Sequence, residues 1–346
     1  MSGFLHRMRG GLKLIEDELR KFFEVYHVEV ENGVTRYYVI PKSVDSQEIQ
    51  YFFQSLSQDY DIKFKRHYGE LVVEIKKRKE SHTINIILFV LTFISVTIAG
   101  STFYGEINIL QGIQFALAVM FVLGSHEMGH FFASKRWGMR ASLPYFIPFP
   151  TIIGTLGAII KQRGVIKNRK ALLEIGAAGP LTGVVASVII TYIGLKMNVQ
   201  PPKIEGVLMI GTPPLFDFVA KLADFKGEYI HPVAFAGWVG MFVTALNIIP
   251  VGQLDGGHIM RALIGEKAEI VSRTFPFALI TLAYLYPESG IWLFWGFVAI
   301  ILSMQRHPKP MDDSPLPLGY ILLGVLTYIV GLLCFTPTPF IIPKNI

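Results

Sequence analysis

The residues His126, Glu127 and His130 have the types and the spacing needed to bind a metal ion and to activate water. Histidines four positions apart project from one face of a helix, and a glutamate beside them can reach water at the metal. This is the chemistry of a zinc hydrolase. The pattern by itself is a weak signal, because it also arises by chance and as a salt-bridge pattern on surface helices.

The residues before this motif indicate that it lies inside a membrane. Residues 107–123 are largely apolar, and ionisable groups at the end of such a run are typical of an intramembrane functional site. Two histidines and a glutamate are costly to bury in hydrocarbon unless an ion or a partner compensates them. The sequence therefore favours a metal site over a surface salt-bridge pattern.

The composition agrees with a polytopic membrane protein. Of the 346 residues, 51% are hydrophobic and only 17% are charged. The net charge of +6 could indicate a nucleic-acid partner, but lysine and arginine gather at the ends of apolar runs, which indicates topology instead. We therefore expect no nucleic-acid partner. The single cysteine, Cys334, leaves histidine and carboxylate as the ligands for zinc.

The first 80 residues differ in composition from the rest of the chain. They are charged and contain turn signals such as Asn32-Gly33, which favours a separate soluble α+β domain over residues 1–80. We expect this domain to be cytoplasmic. The patterns predict helices over 4–23 and 46–58 and strands over 26–30, 35–40, 61–65 and 71–75.

Residues 81–346 predict a transmembrane domain of about seven helices, since ~20 apolar residues cross a bilayer. Residues 144–160 break this pattern with proline, glycine and β-branched residues, so we expect a re-entrant extended segment beside the histidines. The predicted fold class is an α-helical polytopic membrane protein with this segment and a small α+β N-terminal domain. The predicted spans are 84–103, 108–134, 171–195, 232–249, 272–286, 291–304 and 318–335.

Basic residues at the ends of the apolar runs predict the orientation in the membrane. Residues 76–79 precede the first span, and Lys135 and Arg136 follow the second, which places both of these ends in the cytoplasm. Residues 1–21 contain acidic side chains and no apolar core, so we expect neither a signal peptide nor a transit peptide. We expect an integral protein of a prokaryotic plasma membrane with a cytoplasmic N-terminus.

A catalytic zinc ion needs a third protein ligand, which Asp255 or His258 could supply. Counting spans from their basic flanks puts Asp255 on the same side of the membrane as His130 and at about the same depth. An aspartate before two glycines is also a common turn residue. We rank Asp255 first and expect His258 to lie behind the ligands or at a helix start.

The chain resembles the site-2 proteases, which are intramembrane zinc metalloproteases, in HEMGH at 126–130, NIIP at 247–250 and LDGG at 254–257. The resemblance covers about residues 84–261. Gly179, Pro180 and Gly183 are similar to a packing motif of that family. The resemblance implies zinc ligation by His126, His130 and Asp255, general-base catalysis by Glu127, and substrate positioning by Asn247.

The resemblance further implies a protease that acts on transmembrane protein substrates within the lipid bilayer. One alternative is an ion or metal transporter whose path includes the same ionisable residues. Such a transporter usually shows paired broken helices in related halves, and no such symmetry is visible in the sequence. A second alternative is a catalytically inactive membrane scaffold, which the complete set of chemical residues disfavours. The sequence predicts neither the substrate nor the oligomeric state.

Overall fold

The computed structural model describes residues 14–42, 46–67, 69–78, 81–105, 107–199, 209–287, 290–305 and 307–341. The chain divides into two compact units. One unit comprises residues 1–81 with 163–165, and the other comprises 82–162 and 166–346. The predicted start of the first helix, residues 4–13, lies outside the described residues.

The described residues of the first unit form two helices and a four-stranded antiparallel sheet in the order β1-β2-β4-β3. Apolar residues of both helices, such as Leu19 and Phe53, pack with Tyr37 and Val73 of the sheet in one core. β1 and β3 form the two edges of this sheet. The elements are α1 (residues 14–22), β1 (Phe23–Glu31), β2 (Val34–Pro41), α2 (Ser46–Leu56), β3 (Tyr60–His67) and β4 (Glu70–Lys77).

The β1–β2 hairpin turns at the Asn-Gly pair, as its sequence predicts. Asn32 has a φ angle of 50° and Gly33 a φ angle of 76°, and a two-residue turn of this kind needs positive φ at both positions. Asparagine and glycine tolerate this left-handed conformation better than other residues.

The described part of the chain after residue 81 is mainly helical, and its strands are short. Its helices are α3 (Thr83–Ser101), α4 (Ile109–Arg136), α5 (Arg169–Leu195), α6 (Pro214–Leu222), α7 (Pro232–Asn247), α8 (Asp255–Ile264), α9 (Ala268–Leu285), α10 (Ile291–Ser303) and α11 (Leu318–Leu333), with a 3-10 turn at Gly265–Lys267. Its strands are β5 (Arg140–Ala141), β6 (Tyr145–Pro148), β7 (Thr155–Ile159), β8 (Gln162–Arg163), β9 (Met209–Ile210) and β10 (Phe340–Ile341).

Four helical segments among the described residues are long and apolar enough to span a membrane: α3, α4, α5 and the continuous stretch Asp255–Leu285. The last of these joins α8 to α9 through the 3-10 turn. Helices α7, α10 and α11 are apolar but shorter. The protein is therefore a helical integral membrane protein with a small β region near its N-terminus.

Residues 144–160 form an antiparallel hairpin of β6 and β7, in which Tyr145 faces Ile159. The buried side chain of Asn85, on α3, donates hydrogen bonds to the Leu143 and Pro144 carbonyls at 2.8 and 3.1 Å, which fixes the start of the hairpin. The turn packs closely on α3, since a Cβ at Gly154 would lie 2.6 Å from the Cα of Val96. The segment is extended, as its composition predicts.

Helices α4, α5 and α7 pack closely because small residues face one another. A Cβ added at Gly237 would lie 2.1 Å from Thr191 Oγ1, and one added at Gly240 would lie 2.2 Å from Ser187 Oγ. Small residues allow helix backbones to approach inside a membrane, where burial of apolar surface gives little driving force. These three helices surround the residues predicted to do chemistry.

Candidate metal centre

Helix α4 carries His126, Glu127 and His130 on buried positions. Their exposed fractions are 4%, 8% and 6%. The histidines are one helical turn apart, so both imidazoles leave the same face, as the sequence pattern requires. Three such groups in a dry interior need compensation from an opposite charge or an ion.

Asp255, the first residue of α8, provides a negative charge for the two histidines. Its two carboxylate oxygens lie 3.2 Å from His126 Nε2 and 3.2 Å from His130 Nε2, and the two Nε2 atoms lie 3.3 Å apart. Among the residues that the structure describes, His126, His130 and Asp255 form the group whose ligand atoms are close enough to hold a metal ion. The structure thus brings together three side chains that are up to 129 positions apart in sequence.

The separations within this group fit zinc. Three donors held at ~2.1 Å by a tetrahedral ion lie roughly 3.4 Å from one another. The two Nε2 atoms are 3.3 Å apart, close to that value, and each lies 3.2 Å from a different oxygen of the Asp255 carboxylate. Two imidazole nitrogens and a carboxylate are also a donor set that zinc prefers, and three protein ligands leave a fourth position open.

A backbone carbonyl fixes the tautomer of His130. His130 Nδ1 lies 2.7 Å from the Ile175 carbonyl oxygen, and a carbonyl can only accept, so Nδ1 carries the proton. The Nε2 atom is then left with a lone pair directed at His126 and Asp255. Metal-binding histidines are commonly oriented by such a contact on the other ring nitrogen.

Asn247, at the end of α7, also reaches the group. Its Nδ2 atom lies 3.3 Å from His126 Nε2. The amide is therefore beside the face at which the histidine and aspartate donors converge. The structure thus places all five residues selected from the sequence in one locality, four of them on α4 and α8 and the fifth on α7.

Glycines of helix α5 lie directly against the two histidines. A Cβ at Gly179 would lie 2.1 Å from His130 Nε2, and one at Gly183 would lie 3.0 Å from His126 Nδ1. One turn earlier, a Cβ at Gly176 would lie 3.1 Å from His258 Cβ and 3.3 Å from the Asp255 carbonyl oxygen. Larger residues would push the histidines or α8 away from their present positions.

Gly179→Ala is therefore expected to strip most of the metal from the purified chain. The added methyl group would overlap the His130 ring, and overpacking of this kind costs about 1–3 kcal/mol or moves the neighbour. Gly319→Ala is the matched control, because a Cβ at Gly319 on α11 meets nothing within 4 Å. Zinc content after identical purification checks this, and full occupancy in the Gly179 variant would show that the ring does not move.

The two glycines after Asp255 set the position of α8. A Cβ at Gly256 would lie 2.0 Å from the Ile248 carbonyl oxygen, and one at Gly257 would lie 2.4 Å from the Gly252 carbonyl oxygen. Only glycine fits this approach between the helix start and the preceding loop. The Asp-Gly-Gly sequence is thus more than a turn, because its close packing holds the carboxylate against the histidines.

Two long-range contacts hold α8 from its other sides. The Tyr328 hydroxyl, on α11, donates to the Gly256 carbonyl at 2.6 Å. The Arg169 guanidinium, at the start of α5, donates to the Ala262 and Leu263 carbonyls at 2.6 and 2.7 Å. A cation at a helix C-terminus satisfies carbonyls that have no partner within the helix.

His258 lies outside the metal-binding group. It follows Asp255 by one turn on α8, and its Cβ packs beside Gly176 of α5. Its Nε2 atom is buried without a hydrogen-bond partner among the described residues. The third member of the group, beside His126 and His130, is Asp255 and not His258.

The end of the β6–β7 hairpin lies beside Glu127. The backbone amide of Ile160 faces the Glu127 carboxylate. Within the described residues β7 pairs with β6 alone, and its other edge is unpaired. The extended segment predicted near the histidines therefore touches the glutamate itself.

Three of these contacts could not be located from the sequence: the Ile175 carbonyl, the Ile160 amide and the Tyr328 hydroxyl. The two backbone groups carry no residue-type signal, since every residue has them. Tyr328 carries a weak one, because a tyrosine inside an apolar helix needs a partner for its hydroxyl. The sequence does not indicate which carbonyl accepts the hydrogen bond of the Tyr328 hydroxyl.

A buried group of two histidines and an aspartate, with a glutamate beside it on an apolar helix, defines a membrane-embedded site of the metallopeptidase class. Comparison with known proteins agrees with this class. Residues 114–283 match the family model for peptidase family M50. The chain thus carries a domain of this family, the site-2 protease family.

Several curated plant proteins are similar to the chain. It is 31% identical over 255 residues to the probable zinc metalloprotease EGY2, chloroplastic, of Oryza sativa subsp. indica, which covers 69% of this chain and 45% of the relative. Identity to the Arabidopsis thaliana protein of the same name is 30% over 250 residues, or 68% and 43% of the two chains. The probable zinc metalloprotease EGY1, chloroplastic, of Arabidopsis thaliana is 30% identical over 57% of this chain and 37% of its own length.

The chain thus spans less than half the length of the curated relatives that it matches. No solved structure matches it significantly.

Proposed function

We propose that the protein is an intramembrane zinc metalloprotease that hydrolyses peptide bonds within or near transmembrane segments of membrane-protein substrates. The observation that carries the proposal is the convergence of His126, His130 and Asp255 at 3.2–3.3 Å, with Glu127 adjacent on a helix apolar enough to span a membrane. The relatives named as zinc metalloproteases support it. They also disfavour a transporter.

In this proposal His126, His130 and Asp255 hold the zinc ion. A bound zinc ion supplies Lewis-acid chemistry, in that it acidifies water and polarises a carbonyl group. Glu127 accepts the proton of the attacking water and later donates it to the leaving amine. The Ile160 N–H orients the Glu127 carboxylate, and the Asn247 amide holds the substrate carbonyl beside the ligands.

The direct test is cleavage by the purified full chain in detergent. A model single-span membrane protein is incubated with it before and after treatment with a zinc chelator. Cleavage should stop on chelation and return when zinc is added back. Cleavage that continues at the same rate without metal, or a metal-loaded chain with no effect on any transmembrane substrate, would contradict the proposed activity.

We further propose that the substrate binds to the free edge of β7. A helical amide is hydrogen-bonded and shielded, so the substrate must unwind near the cut, and an unwound stretch can pair with an open strand edge. Leu156 and Ile159 are 61% and 50% exposed, and nothing lies within 4 Å of the Cβ position of Gly157. Ile160, the residue that follows β7, lies beside Glu127, so a substrate on this edge would be close to the glutamate.

Proline substitutions at neighbouring positions should therefore have unequal effects. Amides of neighbouring strand residues point in opposite directions, and proline removes one donor. Ile160→Pro removes the donor to Glu127, so cleavage should be lost with zinc retained, whereas Ile159→Pro should disturb the pairing with Tyr145 or do little. Wild-type cleavage by both variants would remove the segment from the mechanism.

The proposed topology has about seven spans, a cytoplasmic domain at residues 1–80, a re-entrant β6–β7 hairpin and, as its setting, a prokaryotic plasma membrane. Basic residues at the ends of the apolar helices support this orientation, which is the one such residues favour in plasma membranes. The shorter helices α7, α10 and α11 need a thinner or locally perturbed bilayer to count as spans.

Cysteine labelling from the two faces of the membrane checks the orientation. In a Cys334→Ser background, Lys161→Cys should react from the cytoplasm and Lys226→Cys, after α6, from the outside. Both positions are exposed, so reagent access is not limited by packing. Reaction of Lys161→Cys from the outside would break the argument that the ligands share one side.

A further inference from the structure

A groove with a volume of about 570 Å³ runs between α2 and β3 in the first unit. One wall is a stripe of α2 that includes Ile49 and Phe53, and the other is formed by alternate residues of β3, Ile62 and Phe64. The Phe64 ring contacts the Phe53 ring edge-on at a centroid distance of 4.9 Å, yet Phe64 remains 53% exposed. The metal centre uses no residue of this groove.

No described strand pairs with the outer edge of β3, the strand that borders the groove. Arg78 N–H donates to the Asp59 carbonyl at 2.9 Å, so this opposed pair is hydrogen-bonded and, by alternation, so is every second pair along β3 and β4. The backbone groups that point away from β4 therefore belong to the residues between those pairs. They are Tyr60, Ile62, Phe64 and Arg66.

The free edge of β3 is basic. Lys63 and Arg66 are exposed and form no ion pair with a described residue, while Lys65 is paired with Glu74 at 2.9 Å. A row of unpaired amides with basic side chains at intervals attracts an extended chain that carries carboxylates.

The other edge strand of the sheet, β1, is poorly suited to be the extended acidic chain that pairs with β3. β1 carries Glu24, Glu29 and Glu31, and the last two are already paired with Arg36 at 3.4 and 2.9 Å. A bulge between Val25 and His27 also interrupts its register. A second copy of the protein is thus poorly suited to add its β1 to β3.

We propose that the groove between α2 and β3 binds an extended acidic segment of another protein, which adds to the sheet beside β3. The backbone of the segment pairs with the outward amides of Ile62 and Phe64. One apolar side chain enters the groove between Phe53 and Phe64, and carboxylates lie beside Lys63 and Arg66. Addition of a strand to an exposed edge, with pockets for alternate side chains, is a common mode of peptide recognition. The first unit is on this basis a docking module.

The test selects peptides from a random twelve-residue library on the full chain in detergent micelles. Selected peptides should be rich in glutamate and aspartate around one apolar residue. Phe64→Glu should weaken their binding by about ten-fold or more, because it removes the apolar wall and repels carboxylates. Val30→Glu is the matched control, since Val30 is an exposed apolar residue, 65% exposed, on the other edge of the sheet.

Two further measurements make the result specific. Hydrogen exchange of residues 60–66 should slow when a selected peptide binds, because outward amides that had no strand partner become paired. Lys63→Glu with Arg66→Glu should weaken acidic peptides and not variants of those peptides in which lysine replaces the acidic residues.

Selected peptides that bind Phe64→Glu and Val30→Glu equally, or no selected peptide that binds saturably, would overturn the proposal. Phe64-dependent binding of vesicles of phosphatidylglycerol, without any peptide, would assign the edge to a lipid surface instead. Phe64-dependent self-association of the chain would assign it to a second copy.

Discussion

Glu127→Gln is expected to abolish cleavage of a transmembrane substrate while the purified chain keeps its zinc. The amide has the same shape as the carboxylate but cannot accept a proton, and positioned general bases contribute about 10²–10⁴-fold to rate. The three residues whose side chains converge at 3.2–3.3 Å do not include Glu127. Cleavage rate and zinc content are measured on the same preparation.

Glu269→Gln is the control for this variant. Glu269 is a glutamate of α9 that pairs with Arg273 on the surface at 3.6 Å, so its replacement should leave both cleavage and zinc unchanged. Cleavage retained in Glu127→Gln would remove the glutamate from the chemistry. Loss of zinc in that variant would show instead that the side chain is a ligand.

Asp255→Ala should lose both its zinc and its activity. The carboxylate contacts both histidines, so its removal leaves two neutral ligands, and loss of contacts that merely orient a ligand already costs about 10–100-fold in metal affinity. We expect a loss larger than that range, which leaves the purified variant essentially free of metal. Metal analysis after gel filtration checks this directly.

His258→Ala is the matched comparison, one turn further along α8. Its Nε2 atom is buried without a partner among the described residues, and it lies outside the three-residue group, so the variant should keep zinc. The reverse outcome, with zinc bound in Asp255→Ala and lost in His258→Ala, would assign the third ligand to His258. The two variants together separate ligand identity from a general effect of altering α8.

The long apolar helices are the part of the fold that the sequence predicted best. The run predicted at 171–195 is α5 at Arg169–Leu195, because unbroken apolar length is itself the signal for a spanning helix. The run predicted at 272–286 begins instead at Ala268 and continues from α8. The sequence did not indicate this stretch, since α8 is amphipathic and ends at Gly265, whose φ angle is 66°.

The candidate site was predictable where the chemistry depends on residue type and spacing. His126 and His130 lie on one helix face for reasons that are local to α4, and a shared side and depth pointed to Asp255. The geometry around them depends on the tertiary fold. A Cβ at Gly179 would lie 2.1 Å from His130 Nε2, and the Ile175 carbonyl contacts Nδ1 of the same ring. Both distances follow from how α5 crosses α4. Neither distance can be read from a sequence.

Mapping the cut in a transmembrane substrate by mass spectrometry tests whether the protein cleaves peptide bonds within the membrane. The substrate is a single-span protein with soluble segments on both sides, incubated with the purified full chain and, in parallel, with its Glu127→Gln variant. We expect two products whose new termini lie within or at the border of the apolar span, formed by the wild type alone. Cuts confined to the soluble segments, or the same products from the Glu127→Gln variant, would contradict this expectation.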